Sequence, residues 1–294
     1  MKKWMYAVFP GLILVAFLFF YLRRGKDIGA SDQPKVGDAT VVVVGKAADK
    51  NAELPLTGVA APIPAGEPPI IAKARAYLGS DGALDAVTSI HFIGTLLQSD
   101  AADPKKQVRS ALEIISQKPA HQRVQEVSEK MVEVSALDGY DGWRRRQDPA
   151  DPTKWQQTLL GPAQIKFMRA NTWENLAFYR GLQSSGGRVE DQGPATIEGV
   201  VCQKVAFIHA PEIIFYRYFE SATGRLMLTK TAGGATIREQ GEIFVRGIRF
   251  PKTLIETSPL PNGQTQTITI NFEKVLLNET LPGDLFAVPM LLSK

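Results

Sequence analysis

Cysteine is almost absent from this chain: Cys202 stands alone among 294 residues. One thiol can form neither an intrachain disulfide nor a cysteine-rich zinc site. Within GVVCQKVAF, Cys202 reads as a small buried side chain rather than a nucleophile. Histidine is scarce too. His91, His121 and His209 stand singly, without HxH or HxxxH spacing, so no metal site is expected. Also missing are a GxSxG elbow, a GxxxxGK[ST] phosphate cradle and a GxGxxG ahead of a helix. Glu190 and Asp191 are adjacent and would point to opposite faces of a strand, a poor acid/base pair. These absences argue against an enzyme and against a bound cofactor. The net charge is only +4, and part of the basic excess flanks the N-terminal apolar run, so no nucleic-acid partner is expected.

Long uncharged apolar runs are missing everywhere but one place. Trp4 to Leu22 reads WMYAVFPGLILVAFLFFYL, 19 residues without a charge. About 20 residues cross a bilayer core as a helix. Trp4, Tyr6 and Tyr21 sit near its ends, where aromatic rings favour the lipid boundary. The run is longer than a signal-peptide core, and the following Tyr21-Leu22-Arg23-Arg24 makes a poor cleavage site. Residues 1–24 are therefore expected to be a retained single-pass transmembrane anchor. Lys2 and Lys3 precede it and Arg23, Arg24 and Lys26 follow, so flanking charge does not choose a side.

Residues 25–66 read as a flexible linker, with Pro34, Pro55, Pro62 and Pro64 among many small and polar residues. Val41–Val44 is an apolar β-branched exception, able to add as an edge strand or to stay a sticky spot in the linker. The folded domain is expected over 67–294. Pro68 and Pro69 suit a helix start before IIAKARAYL, with Gly79 as its stop, and a short helical turn follows over 82–87.

The period then becomes two-fold. Strands are expected over 89–98, 107–116, 120–128 and 130–137, with another beginning at Gly142-Trp143-Arg144. A helix interrupts at 162–179, where Ile165, Met168, Thr172, Leu176 and Tyr179 fall at steps of three and four and predict an amphipathic face. Strands resume over 199–208, 212–220, 225–231, 235–246, 248–257 and 265–272. The Arg144-Arg145-Arg146 run reads either as a patch for acidic headgroups or, preferably, as a polar edge strand. The fold class is thus α+β, mainly β. The N-terminal transmembrane helix leads to one large curved antiparallel sheet, an incomplete barrel, with helices covering its concave side. Segments such as HFIGTLL and EIIFYRYF are apolar on both faces, as expected of a sheet that wraps helices or encloses an apolar cavity.

The order of short motifs carries a resemblance. Tyr77-Leu78-Gly79 and Ala83-Leu84-Asp85-Ala86-Val87 precede a strand carrying Ile90 to Gly94. Asp141-Gly142-Trp143, Ile197-Glu198-Gly199-Val200, Thr223-Gly224-Arg225 and Arg246-Gly247-Ile248-Arg249-Phe250-Pro251 follow. The chain closes on FEKVLLN, from Phe272, and on LPGDLF, from Leu281. In this order, residues 67–291 resemble the outer-membrane lipoprotein-sorting (LolA/LolB-like) superfamily. The resemblance implies an incomplete β-barrel with helices over its mouth, an apolar cavity for acyl chains, and a domain in the periplasm. It implies a partner that is a lipid or an acylated protein, held or passed on without covalent chemistry. The implied location is the inner membrane, through Trp4–Leu22. The alternative on the same fold is an envelope-sensing regulatory domain acting through contacts with a protein partner.

A lipid site inside a curved sheet needs one alternating apolar face turned inward. Phe92 with Leu96, Leu112 with Ile114, Val205 with Phe207 and Phe215 with Phe219 each share a strand face, and with Trp143 they are the candidate lipid-binding lining. The competing reading is that these are ordinary core contacts packed on the 162–179 helix.

Overall fold

The computed structural model describes residues 66–99, 107–260 and 263–289. The expected anchor, nearly all of the linker with Val41–Val44, and the Pro261-Asn262 turn lie outside the described residues. No helix among the described residues is long and apolar enough to cross a membrane.

Helices α1 (Pro69–Leu78) and α2 (Asp81–Asp85) come first. The Ser80 hydroxyl caps α2 by accepting from the Ala83 N–H, and the buried Ile70, Ile71 and Ala74 turn α1 onto the core. Strands β1 (Ser89–Ser99), β2 (Gln107–Gln117), β3 (His121–Val127), β4 (Val132–Asp138), β5 (Asp141–Gln147) and β6 (Trp155–Leu159) follow as a meander. Then come α3 (Pro162–Leu176) and a 3-10 turn (Leu182–Ser185). A second meander runs through β7 (Arg188–Ile197), β8 (Val200–Ala210), β9 (Ile213–Glu220), β10 (Leu226–Thr231), β11 (Thr236–Val245), β12 (Ile248–Pro259) and β13 (Thr265–Leu277). All pairs are antiparallel, in the order 6-5-4-3-2-1-13-12-11-10-9-8-7. The first and last strands of the domain therefore form the seam between the meanders. At that seam Gly94 is needed, because a Cβ there would fall on the Asn271 carbonyl.

The sheet does not close, since β6 and β7 are its two free ends. It must nevertheless roll. Asn171 on α3 meets Gln122 of β3, and Glu174 on the same helix meets Arg217 of β9. Those strands are seven positions apart in the sheet, roughly 34 Å if it lay flat. A single helix side chain on each flank cannot span that, so the sheet curls about α3. One continuous buried cluster results, running from Ile71 and Leu84 through Ile114 and Phe272 to Phe207 and Phe219.

Two edge strands escaped the periodicity. WQQTL and RVEDQGPATI are wetted on both faces and carry no apolar alternation, and β7 takes an irregularity between Asp191 and Pro194. Edge strands tolerate such residues because half their backbone groups face solvent. The expected amphipathic helix also differs. It ends at Leu176, and its polar side is not in water: Asn171, Thr172, Glu174 and Asn175 are all buried. Asn175 Nδ2 donates to Ser116 Oγ at 3.1 Å, and Gln122 Nε2 to Asn171 Oδ1 at 3.3 Å. Glu174 Oε1 lies 2.6 Å from His209 Nε2, and its other oxygen pairs with Arg217. Burial pushes the Glu174 carboxyl up, but Arg217 and then His209 outweigh it and hold the group below the usual carboxylate range.

The arginine run is absorbed by alternation. Arg146 pairs with the fully buried Glu133 across the ladder, and Arg144 is itself buried. Arg145, on the opposite face, stacks 4.6 Å from the Trp155 ring and donates to Gln157.

Two outcomes follow from the buried charges. Glu174→Ala leaves Arg217 buried without its counter-charge and should cost about 3–5 kcal/mol of unfolding free energy. The double replacement Glu174→Leu with Arg217→Met should recover most of that loss in denaturant titrations. The second concerns Glu256, whose carboxyl is pushed up to about 8 by burial, against a partial lowering by the Ser258 hydroxyl. Between about pH 4.3, where an unfolded glutamate ionises, and about pH 8, the unfolded state loses this proton and the folded state keeps it. Its contribution is fully present below that window and lost as pH rises through it. Glu256→Gln should flatten the fall in stability over that range; an unchanged slope would show that Glu256 ionises normally.

Candidate functional site

An opening begins where the sheet fails to zip. β10 pairs with β9 from Leu226 to Thr231, and β11 pairs with β12 from Thr236 to Val245. Yet β10 and β11 pair with each other only at Thr229–Ile237 and Lys230–Thr236. Continued, that ladder would set Leu226 opposite Gln240; instead the strands part and leave a gap. α1 lies over it. The β9–β10 turn packs against the middle of the helix, where Gly224, at φ 81°, leaves no room for a Cβ against the Lys73 and Ala74 backbone. Near its C-terminal end, Arg249 Nε donates to the Tyr77 carbonyl at 3.2 Å.

Behind the gap is a cavity of about 400 Å³, lined by Ala74, Tyr77 and Leu78 of α1, Leu226, Glu239 and the Phe250–Pro251 pair. It continues into a smaller recess of about 90 Å³ among Phe92, Phe178, Ile237, Leu254 and Phe272. Phe92 packs 4.7 Å from Phe272 and 5.8 Å from Phe250, centroid to centroid, so the inner end is aromatic. The outer rim is polar. Glu242 accepts from Tyr77 Oη at 3.1 Å and pairs with Arg249, whose guanidinium stacks 4.3 Å from the Tyr77 ring.

The roof of the recess is fixed from α1. Arg75 is almost fully buried; it donates to the Phe178 carbonyl at 3.1 Å and pairs with Asp81 and Asp85 at 2.6 Å each. Phe178 and Tyr179 take the left-handed backbone region, which turns their rings back under α1. Glu239 lines both cavity and recess, and Arg217 lines the recess. Arg217 lies 4.7 Å from the Tyr179 ring and 4.8 Å from the Phe207 ring, one nitrogen on Glu174, while Nε and Nη1 have no partner. Solvent reaches Glu239 through the gap, but protein surrounds its carboxyl elsewhere. That desolvation pushes it up to about 7, with Arg217 acting in the lowering direction.

Of the nine residues read from the sequence as a lining, Phe92 reaches this recess. Leu96, Leu112, Ile114, Val205, Phe207, Phe215 and Phe219 are brought together in the continuous core around α3. Trp143 falls elsewhere. It packs on the other face of the sheet with Val134 and Ala136, and its Nε1 donates to the Phe286 carbonyl at 2.9 Å. Parity explains this: Gly142, Arg144 and Arg146 take the inner positions of β5. Arg217, Glu239 and Phe272, which do line the space, carried no signal in a strand pattern that reads charges as outward. Among the described residues no group of His, Cys, Asp and Glu could hold a metal ion.

No protein-family model matches the chain, and a search of the curated proteins finds no relative. Solved structures do resemble it. One is the LolA superfamily protein NE2245 from Nitrosomonas europaea, at 13% identity and a TM-score of 0.48, over 74% of this chain and 96% of that one. A DUF1329 family protein from Desulfovibrio piger matches at 9% identity and 0.47, over 74% and 95%. A putative outer membrane lipoprotein-sorting protein domain from Vibrio parahaemolyticus matches at 8% and 0.45, over 74% and 94%. The Nitrosomonas europaea and Vibrio parahaemolyticus structures bear names of the superfamily that the order of sequence motifs resembles.

Proposed function

We propose that the domain holds an acyl chain in the cavity behind the β10–β11 gap and acts as a lipid- or lipoprotein-binding protein without catalysis. The observation that carries this reading is the cavity itself: an aromatic and aliphatic recess that opens outward between α1 and a parted pair of strands. Its size falls in the range of small-ligand sites, roughly 300–1,000 Å³. Each buried methylene contributes about 0.8 kcal/mol, so ten of them supply about 8 kcal/mol, enough for micromolar binding before ordering costs. In the same reading the domain works in the periplasm, tethered through the uncharged Trp4–Leu22 run and the following linker. The mature protein is therefore expected to keep this run, and an N-terminal sequence starting near Ala30 would contradict it.

The test is uptake of a fluorescent polyene fatty acid. Leu226→Glu, at the gap and only partly buried, should lower affinity at least tenfold with little change in melting temperature. Leu112→Ala, deep in the core outside the cavity, should cost about 2–5 kcal/mol of stability yet leave the affinity of folded molecules unchanged. A wild-type protein that takes up no such probe while folded would remove the proposal.

A further inference from the structure

The recess contains one feature that an acyl chain alone does not explain. Arg217 is 5% exposed, and two of its guanidinium nitrogens, Nε and Nη1, have no hydrogen-bond partner. Its remaining terminal nitrogen is committed to Glu174, and its plane is held against the rings of Tyr179 and Phe207. A buried donor left unmade costs about 1–3 kcal/mol, more when charged. Glu239, lining the same space from β11, has no hydrogen bond of its own. A buried cation with unpaired N–H groups at Nε and Nη1 thus lines the aromatic recess, and a carboxyl lines both that recess and the outer cavity.

We infer that this pair is a head-group site, and that the ligand is a single-chain carboxylic acid of the fatty-acid type, its carboxylate held by Arg217 and Glu239 and its chain lying along the apolar lining. The inference rests on the acyl-binding reading above and adds the chemistry of the head. A carboxylate accepts from a guanidinium N–H as a charge-assisted hydrogen bond, roughly twice as strong as the bond a neutral ester carbonyl makes. Glu239 completes the site when protonated, because its O–H then donates to the bound carboxylate. Ionised, it would repel it. Glu239 is exposed to solvent through the gap, and the protein around it shifts its carboxyl upward, the direction that role needs. The charged and titratable groups lining the cavity around it are Arg217 on β9, Glu174 on α3, Tyr179 beyond it, Tyr77 on α1, Arg225 before β10, Glu242 on β11 and Arg249 on β12. Glu174 is taken up by Arg217 and His209, Arg225 by Glu220, and Glu242 by Arg249. That leaves Arg217 and Glu239 to meet the head. Affinity for the carboxylate should fall as pH rises through about 7, because Glu239 then loses the proton it shares.

The test uses the full chain in amphipol, with empty amphipol as blank, and compares palmitate carrying ¹³C at its carboxyl carbon with the correspondingly labelled methyl palmitate. The inference expects a distinct protein-bound carboxyl resonance and at least tenfold weaker binding of the ester. Arg217→Lys keeps a cation on Glu174 but removes the Nε and Nη1 donors, and should abolish the preference for the acid. Glu239→Gln keeps a neutral donor and should remove the loss of affinity between pH 6 and pH 8. Equal binding of acid and ester by the wild-type chain would overturn the head-group site while leaving acyl binding intact. A preference that persists in Arg217→Lys, or a pH response that persists in Glu239→Gln, would also overturn it. If neither compound binds, the acyl-binding reading fails with it.

Discussion

A carboxylate with no exposed side-chain surface, Glu174, sits at the centre of the rolled sheet. A buried carboxylate is costly unless paired and hydrogen-bonded. Here the partners come from β8 and β9, and the backbone that delivers Glu174 is a helix whose opposite flank is hydrogen-bonded to β2 and β3. α3 therefore ties the far arms of an open sheet together. Greasy contact alone would draw the arms inward. The polar contacts on its two flanks fix which helix rotation is allowed, since turning the helix would leave several buried polar groups unpaired.

The same arrangement sets where space remains. α3 and the Phe178–Tyr179 turn fill the inner face under β1–β5 and β7–β9. The cavity of about 400 Å³ lies under α1, beside the splayed β10 and β11. Arg75 holds that roof to the carbonyl of Phe178, and the Gly224 turn holds α1 from below. The cavity is small for such a long sheet, and a small cavity suits one chain rather than several. Its wall also includes one edge of a strand pair, so a ligand can pass the gap without unrolling the sheet. The Arg249–Glu242–Tyr77 contacts at the rim are exposed enough to break at little cost.

Much of the architecture was legible because strand burial is written with period two. Strands β3 and β12 alternate cleanly and were placed within two residues, while β13 runs to Leu277 against an expected end at Phe272. β6 and β7 were illegible because edge strands are wet on both sides. α3 was legible as a helix, but its environment was not: a side chain such as Asn171 looks solvated until a Gln122 is brought to it from another strand. The candidate site was read less well. Apolar alternation finds inward residues without telling a filled core from a cavity wall, so Phe92 was found together with seven core residues. Trp143 was placed inward on hydrophobicity, while the inner positions of its strand belong to arginines. Arg217 and Glu239 depend on pairings made only in three dimensions, and no local pattern marks them.

The central claim is that a cavity of limited volume, roofed by α1, holds a single acyl chain. Native mass spectrometry of the full chain released from membranes tests it directly. The account predicts protein carrying an adduct with the mass of one single-chain lipid, lost when the chain is denatured. An adduct with the mass of a two- or three-chain lipid, or protein that is free of lipid wherever it is folded, would contradict it.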